Sequence, residues 1–578
     1  MKRLVSSVLT LAMIFSLAGC SKKSEETTKK TKDKNKSETE SEETLDPESD
    51  TDETEETKDT EDTEDTEDTG SSETEESTKA SRSGSSGISG YTISPDFTIR
   101  SDLENIDYII TKNYRAYGFV SSASENKVNT LKKEIDLLTI NESDTYDQLW
   151  NSLDGIYPAM NTDYDSMYDQ LLPSYVDGSA SDSFTVKSNT YVVRADSEVF
   201  SFVTCQEVYD KANNSSSTVY RTYNYRSADS MEYNLNDLIS DRGGFANFFA
   251  EYFHDALKFQ AQSAQEVEYL AGLISDPDEN VPFLLTYDGI IFIYTVDSAF
   301  NMYKIPAVYA GDYFDMSLFG ATPEYYVLQS DLNQQIIWDI DGDGALDTIS
   351  AEIEKDEYDS LISLGISVNG QVEQLPKSEL HYSYMGLYRF YLLKTDDGFY
   401  IYTELYMESS DAVVEVFKYD GSSFKFQSSF IGNLPNVHTG GFFYDPANFT
   451  VTNYSDIMGS GYVIDRVSAM GNDGMPKKTV NMGRRNQIAA TRKEITVNKF
   501  DSNGAADGTA TLPENAVFNV IGIDLDSRTL LCEYLDADET KNFFFELQAD
   551  PAQSDSDWSI KYNGIDQDEL FMGFYYAG

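Results

Sequence analysis

The sequence predicts an α+β folded segment, an antiparallel sheet with helices, followed by mainly β domains. This multi-domain body is carried on a disordered acidic linker. Three observations support that class. Residues 21–90 hold almost no large apolar side chains. They pass from a Lys/Glu/Ser/Thr mixture into Thr-Glu-Asp repeats, clearest over Asp59–Thr69, and end in a Ser/Gly tract. Helical spacing falls mainly in the stretch that follows, up to Leu257. From about residue 320 onward, short apolar or alternating runs are separated by Asp, Gly, Asn and Ser turns, which is the pattern of strands.

The linker comes first in the chain. It cannot bury enough apolar surface to offset chain entropy, and its like charges repel. Roughly 70 residues of such a chain span about 45 Å on average, more when charge extends them. Before it, Lys2 and Arg3 precede an apolar run from Leu4 to Leu17, and Leu17-Ala18-Gly19-Cys20 closes the run. The run is too short to span a bilayer, for which about 20 apolar residues are needed. It reads as a secretory signal. The closing tetrapeptide resembles the lipobox of bacterial lipoproteins. That resemblance implies cleavage after Gly19 and lipidation of Cys20, with the membrane as a partner through the lipid anchor. The expected location is the extracytoplasmic face of a cell membrane, at a Gram-positive cell surface.

The expected division is a signal peptide at 1–19, an anchor and linker at 20–90, an α+β domain at 91–320, a β-rich domain at 321–490 and a small β domain at 491–578. A body of about 490 residues exceeds one ordinary domain. The chain carries a formal charge of −57 with 40 Tyr and 32 Phe. Such acidity argues against nucleic acid and anionic lipid as partners, since phosphates are repelled. Apart from Cys20, the cysteines are Cys205 and Cys532, far apart and each within an apolar run, so both are expected as buried strand residues without a disulfide.

In the 91–320 segment the chain opens extended, around Tyr91–Ile99. Val128, Leu131, Ile135 and Leu138 fall at spacings of three and four and predict a helix. A second helix is expected over Tyr146–Leu172, ended by Pro173. Strands are expected at Ser183–Ala195, Glu198–Tyr209 and Ser217–Tyr225. An amphipathic helix through Phe245, Phe249, Phe253 and Leu257 follows, then strands at Val281–Tyr294 and Ala299–Val308 with Tyr287-Asp288-Gly289 as a turn. The stretches "YNLNDLI" (233–239), "PFLLTYDGIIFIYTVDSAF" (282–300) and "YFDMSLF" (313–319) resemble the small extracellular domain of lysozyme-sensing anti-sigma factors and some peptidoglycan deacetylases. The resemblance implies an antiparallel sheet with helices on one side. In the anti-sigma relatives it implies protein binding with lysozyme as ligand. It transfers no catalytic residue. A direct anti-sigma role is not expected, because the relatives' sigma-binding segment and membrane helix are not seen here.

The sharpest chemical motif is Asp339-Ile340-Asp341-Gly342-Asp343-Gly344-Ala345-Leu346-Asp347. Carboxylates at positions 1, 3, 5 and 9, with the Ala345 carbonyl at position 7, can converge on one cation. Hard oxygen ligands in this number suit calcium. Position 12 is Ser350, not the bidentate Glu of an EF-hand, and the flanks Gln334–Trp338 and Thr348–Ile353 alternate like strands. The motif resembles the calcium loops between strands of integrin-type repeats. Only one copy is convincing, because Gly471-Asn472-Asp473-Gly474 lacks the carboxylate ladder. Later strands are expected at Gly398–Met407, Ala412–Tyr419 and Phe424–Phe430.

In the last segment, strands are expected at Ile495–Phe500, Val517–Asp524, Thr529–Leu535 and Asn542–Leu547, with a capping turn or short helix in "NGIDQDELF". The run from Leu512 to Leu547 resembles small SH3-like barrels of bacterial surface proteins.

For function, histidine is limited to His254, His381 and His438 in unrelated contexts, with His254 expected as a partly buried structural residue on its Phe-rich helix. No nucleophile elbow, zinc helix or phosphate loop is present in the sequence. The expectation is a non-catalytic binding lipoprotein whose partner is a protein such as lysozyme or a cell-wall glycan. Two alternatives stay open: a solute-binding lipoprotein of a transporter, and a glycan-processing hydrolase, which needs only two carboxyls about 5–10 Å apart.

Overall fold

The computed structural model describes residues 106–576, apart from 122–126, 141–145, 257–260, 297–298, 320–321, 332–333, 359, 381–383, 408–411, 436–441, 502–504, 537–540, 552–558 and 575, together with short strands at 86–88, 91–93 and 97–101. The signal peptide, Cys20, nearly all of the linker, His381 and His438 therefore lie outside the described residues. What is described is mainly β in several sheets, with helices confined largely to the first folded segment, as the composition and patterning predict.

The first segment is built in four layers. A six-stranded sheet runs in sequence order through β1 (Phe97–Ser101), β2 (Ile106–Val120), β3 (Val128–Ile140), β4 (Phe184–Ala195), β5 (Val199–Asp210) and β6 (Ser215–Arg226). Its neighbours are antiparallel except β3 and β4, which pair in parallel over Leu131–Ile135 and Phe184–Ser188. A parallel pair needs a long crossover. Here it is α1 (Asp147–Val176), whose Leu149 and Leu153 pack on Phe200 and Phe202 of β5. The other side of β5, Val203 and Cys205, meets a three-stranded sheet of β7 (Phe283–Leu285), β8 (Gly289–Val296) and β9 (Ala299–Pro306). Ile291 and Ile293 of β8 face that way, and Ile290 and Phe292 face α2 (Arg242–Ala256) and α3 (Ala261–Ser275). Phe245, Phe249 and Phe253 line the inner stripe of α2.

Three expectations change here. The segment Val128–Ile140 is a strand, not a helix. Its apolar residues lack the usual alternation because both faces are covered. Leu131 packs with Tyr168 and Tyr175 of α1, while Val128 packs with Ile488 and Val517 far along the chain. Second, α1 continues through Pro158 and Pro173 to Val176 rather than stopping at Pro173. Third, helices flank the segment on both sides, with α1 on one and α2 and α3 on the other.

The second segment is a sandwich of two sheets. The first holds β11 (Ile336–Trp338), β12 (Asp347–Lys355), β13 (Leu361–Val368) and β14 (Gln371–Gln374). The second has the order β10 (Tyr326–Asp331), β15 (Tyr384–Thr395), β16 (Gly398–Met407), β17 (Ala412–Tyr419) and β18 (Phe424–Ile431). Ile349, Leu364 and Ile366 meet Leu392, Ile401 and Phe417 between them. The five-stranded sheet is covered on its other face too, where Tyr391, Tyr400 and Tyr402 pack against Phe443, Phe449 and Val467. This explains why β16 is buried almost end to end.

The last sheet has ten strands. Its main path is β19 (Phe449–Ser455), β20 (Gly461–Ser468), β21 (Gly483–Thr491), β24 (Val517–Asp524), β25 (Thr529–Tyr534), β26 (Phe543–Gln548), β22 (Ile495–Phe500) and β23 (Ala506–Leu512). Lys477–Lys478 and Phe571–Met572 add short strands beside β20 and β21. Val463 near one end and Leu512 near the other share one core with Phe518 and Phe545, so the sheet curls around its own interior. The 490/491 position falls inside this sheet, at the end of β21. The short helix expected near the C-terminus is present at Gln567–Leu570.

Each segment touches both others. At the first junction, Lys304 of β9 donates to Asp288 Oδ2 and to the Gln329 carbonyl of β10, both at 2.6 Å. Tyr287 enters the sandwich core. The β2–β3 hairpin packs Ala116 and Val128 on Ile488 and Val517, and the Asn486 side chain donates to Glu134 at 2.8 Å.

Candidate metal centre

The Asp-rich loop closes the hairpin between β11 and β12, where Trp338 pairs with Asp347. Ile340 fills the sandwich core, which fixes the first turn of the loop against the body. Gly342 and Gly344 take positive φ angles of 77° and 85°, in the left-handed region that glycine enters without a Cβ penalty. These turns curl the loop back so that oxygens of Asp339, Asp341 and Asp347 lie within 4.8 Å of one another. Asp341 is exposed and Asp339 half-buried.

Backbone N–H groups order the carboxylates. Asp339 accepts from Gly342 N at 2.7 Å and Gly344 N at 3.0 Å. Asp341 accepts from Asp343 N at 3.1 Å. Asp347 accepts from Ile340 N at 3.1 Å on one oxygen and from the Asn369 side-chain amide at 2.7 Å on the other. Of the five positions picked out by spacing, three are brought together. Asp343 is not among them, and its carboxylate accepts from Ala345 N at 2.7 Å. Ala345 is exposed at the loop tip.

Asn369 was not anticipated by the spacing argument. It sits at positive φ in the β13–β14 turn, and its side-chain oxygen also accepts from Thr348 N at 2.9 Å. The Asn-Gly pair at 369–370 is a readable turn signal. Nothing local ties it to a loop 22 residues earlier. The neighbouring β17–β18 turn also faces the loop: the Tyr419 hydroxyl is pushed up, first by burial and then by the charges of Asp341, Asp347, Asp420 and Asp343. Trp338, immediately before Asp339, donates its indole N–H to Tyr326 at 2.7 Å. The donor set is carboxylate oxygen on a hairpin loop, which fits a hard cation such as Ca²⁺ and offers no thiolate or imidazole.

Other chemistry-bearing residues are placed differently. Glu404 and Glu415 are buried carboxyls, each pushed up to about 7 by desolvation. They sit on opposite faces of the five-stranded sheet. Glu404 shares its face with Tyr402, and Glu415 shares its face with Phe417. They do not form a pair that could share a substrate. Glu404 accepts from Leu434 N and Glu415 from the Tyr384 hydroxyl. A cavity of about 30 Å³ beside Lys304 and Asp288, lined also by Val193, Ile291, Val327 and Phe443, has room for a water or two and not for an organic ligand. Cys205 and Cys532 are free and buried in strands, as expected. Burial pushes the Cys205 thiol up to about 12, which keeps it protonated and unreactive. His254 is exposed in the last turn of α2, not partly buried, because the inner stripe of that helix is filled by Phe245, Phe249 and Phe253. No helix among the described residues is long and apolar enough to cross a membrane.

No family model and no curated protein matches the chain. Among solved structures, the chain is similar to DUF3298 family proteins. A member from Bacteroides fragilis NCTC 9343 is 14% identical, with 38% of this chain and 98% of that chain covered and a TM-score of 0.25. Another, from Pseudomonas aeruginosa PAO1, is also 14% identical, with 37% and 97% covered and a TM-score of 0.26.

Proposed function

We propose that this protein is a lipid-anchored, extracytoplasmic binding module with a calcium-stabilised β sandwich and no catalytic role. Its first folded segment takes a protein ligand such as lysozyme, or a cell-wall glycan. The observation that carries the metal part is the convergence of Asp339, Asp341 and Asp347 oxygens within 4.8 Å at the end of a hairpin anchored by Ile340. Three carboxylates so close repel one another, and a divalent cation relieves that repulsion. The ion's task in this reading is structural. Extracellular calcium modules commonly bind at about 0.1–1 mM, a range in which the site fills outside a cell. The acidic linker holds the body off the bilayer. The binding part rests on the sequence: the leader with Cys20, the stretches over 233–239 and 282–300, and a charge of −57 that speeds encounter with a basic partner.

Terbium luminescence tests the metal part, because Trp338 adjoins Asp339 and can sensitise a bound Tb³⁺. Excitation of the indole should give Tb³⁺ emission that Ca²⁺ displaces and Trp338→Phe removes. Absence of sensitised emission, with no effect of Ca²⁺ on the melting curve, would sink the calcium assignment. Calorimetric titration of the full chain with lysozyme at roughly 0.15 M and 0.5 M salt tests the binding part. Binding that survives the higher salt supports a docked interface, whereas binding lost with salt is charge attraction alone.

A further inference from the structure

Helix α2 carries more aromatic side chains than its core uses. Phe245, Phe249 and Phe253 fill the inner stripe, and all three are essentially fully buried. A second stripe, Phe248 and Tyr252, lies on the adjoining face and is only partly covered. The turns after β9 bring two further rings against it. The Tyr313 and Phe248 centroids are 6.0 Å apart, Phe248 and Tyr252 also 6.0 Å, and Tyr252 and Tyr309 5.9 Å. Four rings therefore form one continuous ribbon, Tyr313–Phe248–Tyr252–Tyr309. Tyr309 is 42% exposed, and the same turns expose Met316 at 39%. The exposed residues interspersed with it in sequence include Asp241, Glu251, Asp312 and Asp315.

Resting on the binding role proposed above, we infer that this ribbon is the docking surface and that its partner is a cationic protein face presenting Lys or Arg side chains. Aromatic rings with exposed faces attract cations through their quadrupoles. Tyr supplies rigid contact area of the kind concentrated in interface hot spots, and Met is enriched at interfaces. The carboxylates nearby supply charge complementarity on the rim, where it sets encounter rate and specificity. A second copy of this chain is a poor occupant, because two bodies of this acidity repel. An anionic lipid surface is disfavoured for the same reason.

The test uses the full chain, with lysozyme as the basic probe, at roughly 0.15 M and 0.5 M salt. Tyr309→Ser should weaken binding about tenfold or more at both salts, while Tyr309→Phe keeps most of it. Glu251→Gln with Asp312→Asn should flatten the salt dependence and leave the high-salt affinity unchanged. Coincident melting curves for the Tyr309 variants and the parent show that folding is preserved. Unchanged affinity in Tyr309→Ser, with the parent binding, overturns the ribbon and leaves the binding role standing. Absence of binding by the parent at both salts overturns the protein-ligand reading and the ribbon together and leaves only the glycan reading. Light scattering supplies a further outcome: a concentration-dependent dimer that Tyr309→Ser dissolves assigns the face to a second copy and overturns the proposal.

Discussion

The carboxylate loop and the junction between the first two segments handle charge in opposite ways. At the loop, Asp339, Asp341 and Asp347 gather like charges near water and are held only by N–H donors. At the junction, charges are buried with their counter-ions. Arg194 donates to Asp196 at 2.6 Å with both side chains fully enclosed, and Lys304 donates to Asp288 at 2.6 Å with both nearly so. Asp196 also accepts from Glu198 N and Val199 N, and Arg194 reaches the Thr286 carbonyl at 3.1 Å. The difference teaches where solution conditions can act. The junction carries its own neutralisation and should be indifferent to ions, whereas the loop, in the function proposed above, takes a cation supplied from outside.

Breaking the junction should have the largest effect. Lys304→Met leaves the Asp288 carboxylate buried without its cation and should cost about 3–5 kcal/mol in denaturant unfolding. If the loss is under about 1 kcal/mol, water reaches Asp288 and the contrast drawn above is wrong.

The next effect, taken per group, concerns Glu404 and Glu415. Both carry folded-state values near 7, above the ordinary 4.5 of a glutamate, so the folded chain holds more protons between those limits. Their contribution to stability is full below about pH 4.5 and is lost as pH rises through about 7. The expected loss is on the order of 3 kcal/mol per group across that window. Replacing both with Gln should flatten this part of a melting-temperature profile. A parent whose stability rises steadily from pH 5 to pH 7.5, with a profile the double variant does not alter, would contradict the assignment.

Smallest is the loop. Calcium at about 5 mM should stabilise by about 1–2 kcal/mol if the affinity is about 0.1–1 mM. Asn369→Ala, which frees the Asp347 carboxylate, should weaken the metal about tenfold without touching a ligand. Asp343→Asn sharpens the picture further. The geometry keeps Asp343 outside the group of three, so this change should matter less than Asp341→Asn in the Tb³⁺ titration.

Much of the β architecture was legible in the chain. The strands at Gly398–Met407 and Ala412–Tyr419 fall at the ends their patterns mark. The loop was legible because its carboxylates sit within nine residues and its glycines announce the turns. What stayed hidden was set by distant covering. Val128–Ile140 lost its alternation because α1 lies over one face and β21 and β24 over the other. Asn369 reaches Asp347 through a turn that only the folded sheet brings near. The ion pairs of Arg194 and Lys304 were equally invisible, since neither residue sits in an unusual local pattern.

The two hidden thiols follow from the same layered burial. Cys205 lies between the sheets of the first segment and Cys532 inside the curled sheet of the last, each with no disulfide to restrain it. A small alkylating reagent can reach either one only when its own layer parts. In a chain whose Cys20 is blocked, the order in which the two sulfurs become labelled under mild denaturant is therefore a clock with two hands, one for each end of the body.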